Sequence, residues 1–194
     1  MKKCKKTALK LAAVFFCILY LSVQALGNTS TFPDVKQDAD YAKAVEKLVS
    51  LKILSGDENG NFNPDNIITR AEAAVIICRM IGVEDILEST SVFTDVPSSH
   101  WAAEYISKAA ELEIISGYGD GTFGPDDPVT YEQMIRMLVS AWGYDDLAKK
   151  YGGYPDGYLQ VAKEFNILND VPYKKGEYAI RSDVAKMVYN SIYG

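Results

Sequence analysis

Asp120, Asp126, Asp127 and Glu132 crowd one stretch rich in glycine and proline. Paired carboxylates in such a place are the equipment of glycoside hydrolysis, one acting as general acid and the other as base or nucleophile. The pattern argues against that use. Asp57 and Asp65 mark a matching loop earlier in the chain, whereas an enzyme needs one asymmetric site, so a solvated loop is the simpler reading. Asp57, Asn59, Asn61 and Asn63 have the alternation of a calcium loop. Its sixth position is Phe62, where that loop needs glycine, and its twelfth is Ile68, where it needs a bidentate glutamate. His100 is the single histidine, which argues against a histidine-based zinc site or a serine-histidine triad. Cys78 sits in an apolar helical pattern and reads as a small buried hydrophobe rather than a reactive thiol. The expectation is binding without catalysis, and no metal or cofactor.

The chain has 194 residues, 48% hydrophobic and 24% charged. This is globular composition, and it excludes a disordered tail, a collagen-like rod and a multi-span membrane protein. The formal charge is −6, and it becomes −11 once residues 1–25, with five lysines and no acid, are set aside. Such an acidic body is a poor partner for nucleic acid, whose affinity depends on neutralising phosphates. Residues 1–25 themselves read as a secretory signal peptide: Lys2, Lys3, Lys5 and Lys6, an apolar stretch from Leu9 to Val23, then Val23-Gln24-Ala25 at the exit. The apolar stretch is shorter than the ~20 residues a spanning helix needs, so no membrane span is expected after cleavage. Cys4 and Cys17 would leave with the signal, and no intramolecular disulfide could form.

An internal repeat must position any site. At a shift of 61 residues, Phe32-Pro33-Asp34-Val35 falls on Phe93-Thr94-Asp95-Val96, Ser55-Gly56 on Ser116-Gly117, and Thr69 on Thr130. A third, worn copy matches Tyr105 and Ile114 to Tyr158 and Ile167 at a shift of 53, and Met137 to Met187 at 50. Units of this kind cannot bury their apolar faces alone and stack to complete a core. Each reads as helix, loop, helix. The first helix of the second unit is expected near Trp101–Glu113, with Ile106, Ala109, Ala110 and Leu112 on one side and the glycines of Gly117–Gly121 ending it. Thr69 with Glu72 reads as a capping box, and Thr130 with Gln133 as its copy. Ile180 stands where the third unit should have its threonine. A short helix is expected near Tyr144–Tyr151, within a mainly helical domain.

Phe-x-Asp-Val, His100-Trp101-Ala102, the run Ile114 to Pro125 and Thr69-Arg70-Ala71-Glu72 together resemble the S-layer homology family. The resemblance covers roughly residues 31–194 as three tandem modules. Its boundaries are drawn as 1–25 signal peptide, 28–90, 91–150 and a degenerate 151–194. It implies three helix-loop-helix repeats packed as one pseudo-threefold body, exported and associated with the cell wall or S-layer. It further implies a non-catalytic anchor that holds a peptidoglycan-linked secondary cell-wall polysaccharide, often pyruvylated, in grooves between modules.

The resemblance implies polymer contacts at Arg70, Trp101, Gly117, Asp120 and Arg181. A pyruvyl ketal offers a carboxylate to an arginine fork at a helix start, where free amides and the helix dipole would add to the grip. An indole can lie on a sugar face, and a glycine lets backbone amides approach. Arg70, in the first helical turn, is expected to be mostly exposed and of little weight for stability. Thr69, Glu72 and Thr130 read as structural caps, and Asp34 and Asp95 as turn residues. Tyr131 replaces the arginine in the second unit, and Asp40 and Tyr154 stand where the family has tryptophan. One or two working grooves therefore fit better than three. Two rival readings stand beside the anchor: a scaffold for another envelope protein with polymer binding lost, and a small secreted glycoside hydrolase. The resemblance also leads one to expect an enzyme or layer-forming region beside the anchor, and none is readable in these residues.

Overall fold

The computed structural model describes residues 32–83 and 92–194. The signal-peptide reading of residues 1–25 lies outside them. The described residues are mainly α: α1 (Ala42–Ser50), α2 (Arg70–Met80), α3 (Ala103–Glu111), α4 (Tyr131–Ala141), α5 (Asp145–Lys150), α6 (Asp156–Glu164) and α7 (Arg181–Tyr193). Three helix pairs, α1/α2, α3/α4 and α6/α7, follow one another, with α5 inserted after the second.

Each second helix packs on the first helix of the next pair: α2 on α3 and α4 on α6. Helix α7 returns to α1, and this contact closes the circle. At the centre, three equivalent residues donate head to tail: Ile68 N–H to Ala179 O (3.0 Å), Ala179 N–H to Val129 O (2.9 Å) and Val129 N–H to Ile68 O (3.0 Å). All three are fully buried. Antiparallel bridges Ile67–Ile180, Thr69–Pro128 and Thr130–Tyr178 surround this ring. The arrangement is a pseudo-threefold, and it satisfies buried amides that no helix serves.

Local chemistry sets the elements. The Thr69 hydroxyl accepts from Glu72 N–H (3.2 Å), and the Glu72 carboxylate accepts from Thr69 N–H (2.8 Å). Thr130 and Gln133 do the same at the head of α4, whereas Ile180 gives α7 no side-chain cap. Asp34 accepts from Phe62 and Asn63 N–H, and Asp95 from Phe123 and Gly124 N–H. These acids fold the start of each of the first two units over its own loop, setting Phe32 on Phe62 and Phe93 on Phe123.

The ends of the first helices correct the reading from sequence. Helix α3 stops at Glu111, not Glu113, and the glycine run does not end it. The left-handed residue is Glu113 (φ 58°), matched by Lys52 (60°) and Asn166 (57°). In each case the next amide returns to the helix, as in Ile114 N–H to Ala109 O at 2.9 Å, which is the Schellman closure. That closure turns Leu112 outward, 43% exposed, instead of onto the buried face. Glycine does perform this duty after α2 and α4, at Gly82 and Gly143. Cys78 is buried among these helices and donates to Tyr105 O at 3.5 Å. Burial pushes its thiol up to about 11, so little thiolate is available at neutral pH.

Candidate functional site

Around two of the open clefts among the described residues the ring places equivalent side chains from all three units; a further cleft of about 530 Å³ beside Phe32 and Tyr105 does not share that plan. The first of the two, about 490 Å³, lies on the Ser55-Gly56 loop of the first unit. Arg181 enters it from the third unit, Trp101 from the second, and Glu72 and Arg79 from α2. The second cleft, about 350 Å³, lies on the Ser116-Gly117 loop. Arg70 enters from the first unit, Tyr154 from the third, and Gln133 and Arg136 from α4. Trp101 is 62% exposed and Tyr154 52%, although both rings are large and apolar.

The two arginines of the helix starts are not where exposure would put them. Arg70 is only 7% exposed. Its Nε donates to Phe123 O (2.8 Å) and its Nη2 to Ser116 O (3.0 Å). The guanidinium lies 4.5 Å from the Phe123 ring and 4.9 Å from that of Tyr118. Arg181 repeats this on the first-unit loop, donating to Phe62 O (2.8 Å) and Ser55 O (3.0 Å). It adds a pair with Glu72 at 3.2 Å. The helix-start amides are also engaged: Arg70 N–H donates to Asp127 O, Ala71 N–H to Pro125 O, and Arg181 N–H to Asn66 O. Arg70 thus fastens one unit's helix to the next unit's loop, because its long stem spans the boundary and its fork matches two loop carbonyls. The expected exposed cation beside free helix amides is absent at both positions.

Gly117 lines the second cleft, and its missing side chain also serves packing. A Cβ there would lie 2.3 Å from Thr122 O and 2.6 Å from Phe93 Cε1. Asp120, expected to touch polymer, lines neither cleft. Its carboxylate accepts from Thr122 N–H (2.9 Å) and Thr122 Oγ1 (2.6 Å), making a local turn. Asp57 is used in the same way by Asn59, Asn61 and Asn63.

The third position of the ring is filled by its own side chains. Tyr131 takes the arginine's place and Asp40 the tryptophan's, while Asp183 stands for Glu72 and Asp170 for the loop glycine. Lys186, equivalent to Arg136, donates to Asp40 (2.8 Å) and Asp170 O (2.9 Å). It also pairs with Asp183 at 3.1 Å, and Tyr131 OH donates to the other oxygen of Asp183. Lys186 and Asp183 are 7% and 3% exposed. The ammonium is thus buried among two carboxylates and a backbone carbonyl, where its equivalent Arg136 lines an open cleft.

Burial opposes the charge on Lys186, yet Asp40 and Asp183 outweigh it and raise its pKa above the ordinary 10.5. Burial, and then the bond to Asp183, raise Tyr131 above 10.0. Both groups are held protonated, so their stabilisation is complete below those ordinary values and is lost as pH rises through the higher folded ones. The melting temperature is expected to fall as pH is taken above about 10. Tyr131→Phe, with no proton to lose, should fall less steeply. Parallel curves for the two proteins would mean that Tyr131 does not contribute.

Arg79, Arg136 and Tyr118 line the clefts and were not singled out from sequence. The repeat shift sets Arg136 on Val75 and Tyr118 on Asp57, so a search for matches passes over them. The usable signal was the departure between copies.

Comparison with known proteins identifies the first two units. The S-layer homology domain model matches residues 31–74 and 92–135, and the chain belongs to that family. A cell surface protein of Thermoanaerobacter kivui is 35% identical over 95% of this chain and 24% of its own length. A middle cell wall protein of Brevibacillus brevis is 35% identical over 84% of this chain and 15% of itself. A cellulosome-anchoring protein of Acetivibrio thermocellus is 44% identical over 43% of this chain and 20% of itself. The chain spans no more than about a quarter of the length of these relatives. Membership in the family places it at the cell surface as an envelope-binding module.

Proposed function

We propose that the chain is a non-catalytic anchor that holds a secondary cell-wall polysaccharide, with pyruvylated sugar units, in the Trp101 and Tyr154 clefts. Residues 151–194 act as a third, diverged module that closes the ring and fills its own site. The observation that carries this reading is the exposed aromatic wall facing guanidinium groups in both clefts. A large indole left 62% exposed at a cleft mouth gains by covering the apolar face of a sugar. The neighbouring cations and loop backbone supply hydrogen bonds to its hydroxyl and acid groups.

The test is co-sedimentation with peptidoglycan sacculi that bear their secondary polymer and with the same sacculi stripped of it by hydrofluoric acid. Retention is expected only on the first. Trp101→Ala should weaken it about tenfold, the loss of one stacked ring, with melting unchanged because the ring is exposed. Equal retention on stripped sacculi would favour a protein or peptidoglycan partner and sink the polymer reading.

A further inference from the structure

The Trp101 and Tyr154 clefts share one plan but differ in charge. Lining the Trp101 cleft are two guanidinium groups, Arg79 and Arg181, and two carboxylates, Asp57 and Glu72. Lining the Tyr154 cleft are two guanidinium groups, Arg70 and Arg136, and no carboxylate. One exchange lies inside the capping boxes. Glu72 caps α2 and also neutralises Arg181, whereas Gln133 caps α4 with the same geometry and no charge. The other exchange sets Arg136 where the first unit has Val75.

Arg136 and Arg70 are not equivalent within the cleft. Arg70 is buried, and its Nε and Nη2 are committed to the Phe123 and Ser116 carbonyls. Arg136 is half-buried, donates from Nη1 to Ser116 Oγ at 3.3 Å, and forms no ion pair with a carboxylate among the described residues. Asp127 accepts from Tyr118 OH, and Asp145 from the Ser140 and Tyr158 hydroxyls; both keep their charge, and neither forms an ion pair with Arg136. Asp127 and Asp95 act on the Arg70 charge, so Arg136 is the cation of this cleft that no carboxylate pairs, set beside Phe123, Met137 and Tyr154 in a chain of net charge −6.

We propose that the Tyr154 cleft is the anion-selecting site, with Arg136 as the residue that grips the carboxylate of a wall sugar. The charge-balanced Trp101 cleft takes a neutral sugar face. This assignment rests on the polymer-binding reading above and divides the labour between its two clefts. A guanidinium fork suits a carboxylate because two parallel N–H donors meet two oxygens.

The probe is a methyl hexoside carrying a pyruvyl ketal, compared with its neutral methyl ester by titration calorimetry on the full chain. The parent is expected to bind the acid at least about tenfold more tightly than the ester, the size of one charge-assisted contact, with that preference shrinking as salt is raised. Arg136→Gln should bind acid and ester alike, Arg136→Lys should recover part of the preference, and Trp101→Ala should keep it. Arg136→Gln is expected to melt with the parent, which separates lost grip from lost folding. If Arg136→Gln still prefers the acid, Arg136 is not the grip. If the parent binds acid and ester equally yet still holds polymer-bearing sacculi, the division by charge is wrong and the polymer reading stands. If it holds neither the probes nor the sacculi, both fail together.

Discussion

Deleting residues 152–194 is expected to abolish cooperative folding of what remains. The deletion removes Ala179 from the central ring and leaves the Ile68 amide without an acceptor and the Val129 carbonyl without a donor. It also removes α6 and α7, so that α1 loses the partner that covers Ala44, Val45 and Leu48, and α4 loses cover over Ile135 and Leu138. Each buried aliphatic side chain of this size contributes about 1.5–3 kcal/mol, against a total stability of about 5–15 kcal/mol for an ordinary domain. Losing several at once leaves nothing to sustain a sharp transition. Calorimetry should show a broad or absent peak, and a hydrophobic dye should bind at room temperature. The Trp101 and Tyr154 clefts should vanish too, since each draws a wall from the third unit: Arg181 in one, Tyr154 in the other. A truncated chain that melts as sharply as the parent would make the units independent beads, and no cleft could then be shared among three of them.

Much of the architecture was legible because local and global signals agree at the helix starts. Thr69 and Glu72, and Thr130 and Gln133, announce α2 and α4 by a pairing that needs only three residues of separation. The helix exits were misread because the left-handed positions are held by Lys52, Glu113 and Asn166, not glycine. A Schellman closure tolerates them, and composition does not reveal that. The clefts were half legible. The shift of 61 residues identifies equivalent positions, but not which unit's loop each one reaches. Arg70 meets Ser116, 46 residues away, and Arg181 meets Ser55, 126 residues away. Only ring closure sets those pairs. Repeat matching also hides residues that matter because they differ, and Arg136 and Lys186 are both substitutions at the position of Val75.

Arg70→Ala is expected to destabilise the protein by about 3 kcal/mol, which reverses the expectation for an exposed first-turn side chain. The mutation leaves two loop carbonyls, Phe123 O and Ser116 O, without their donors, and hydrogen bonds from a charged donor contribute about 1.5–3 kcal/mol each. It also uncovers the Phe123 ring, which is 1% exposed in the intact chain. For a domain of this length the melting temperature should drop by roughly 6–12 °C. Arg70→Lys should recover little, since one ammonium cannot reach both carbonyls with a planar fork. Arg181→Ala should behave likewise and lose slightly more, because Glu72 would be left without its ionic partner. The discriminating measurement is retention on polymer-bearing sacculi well below the melting point, read beside the melting curve. An Arg70→Ala protein that melts with the parent but no longer binds would return Arg70 to the ligand and take away the reason for assigning the grip to Arg136. A protein that melts early, and in the cold still binds in proportion to its folded fraction, would make Arg70 the fastener between the first unit's helix and the second unit's loop. Arg70 would then shape the cleft from behind, and charge selection would be free to vary between clefts through Arg136, whose hydrogen bond stays within its own unit, and through the choice of Glu72 or Gln133 within the capping box.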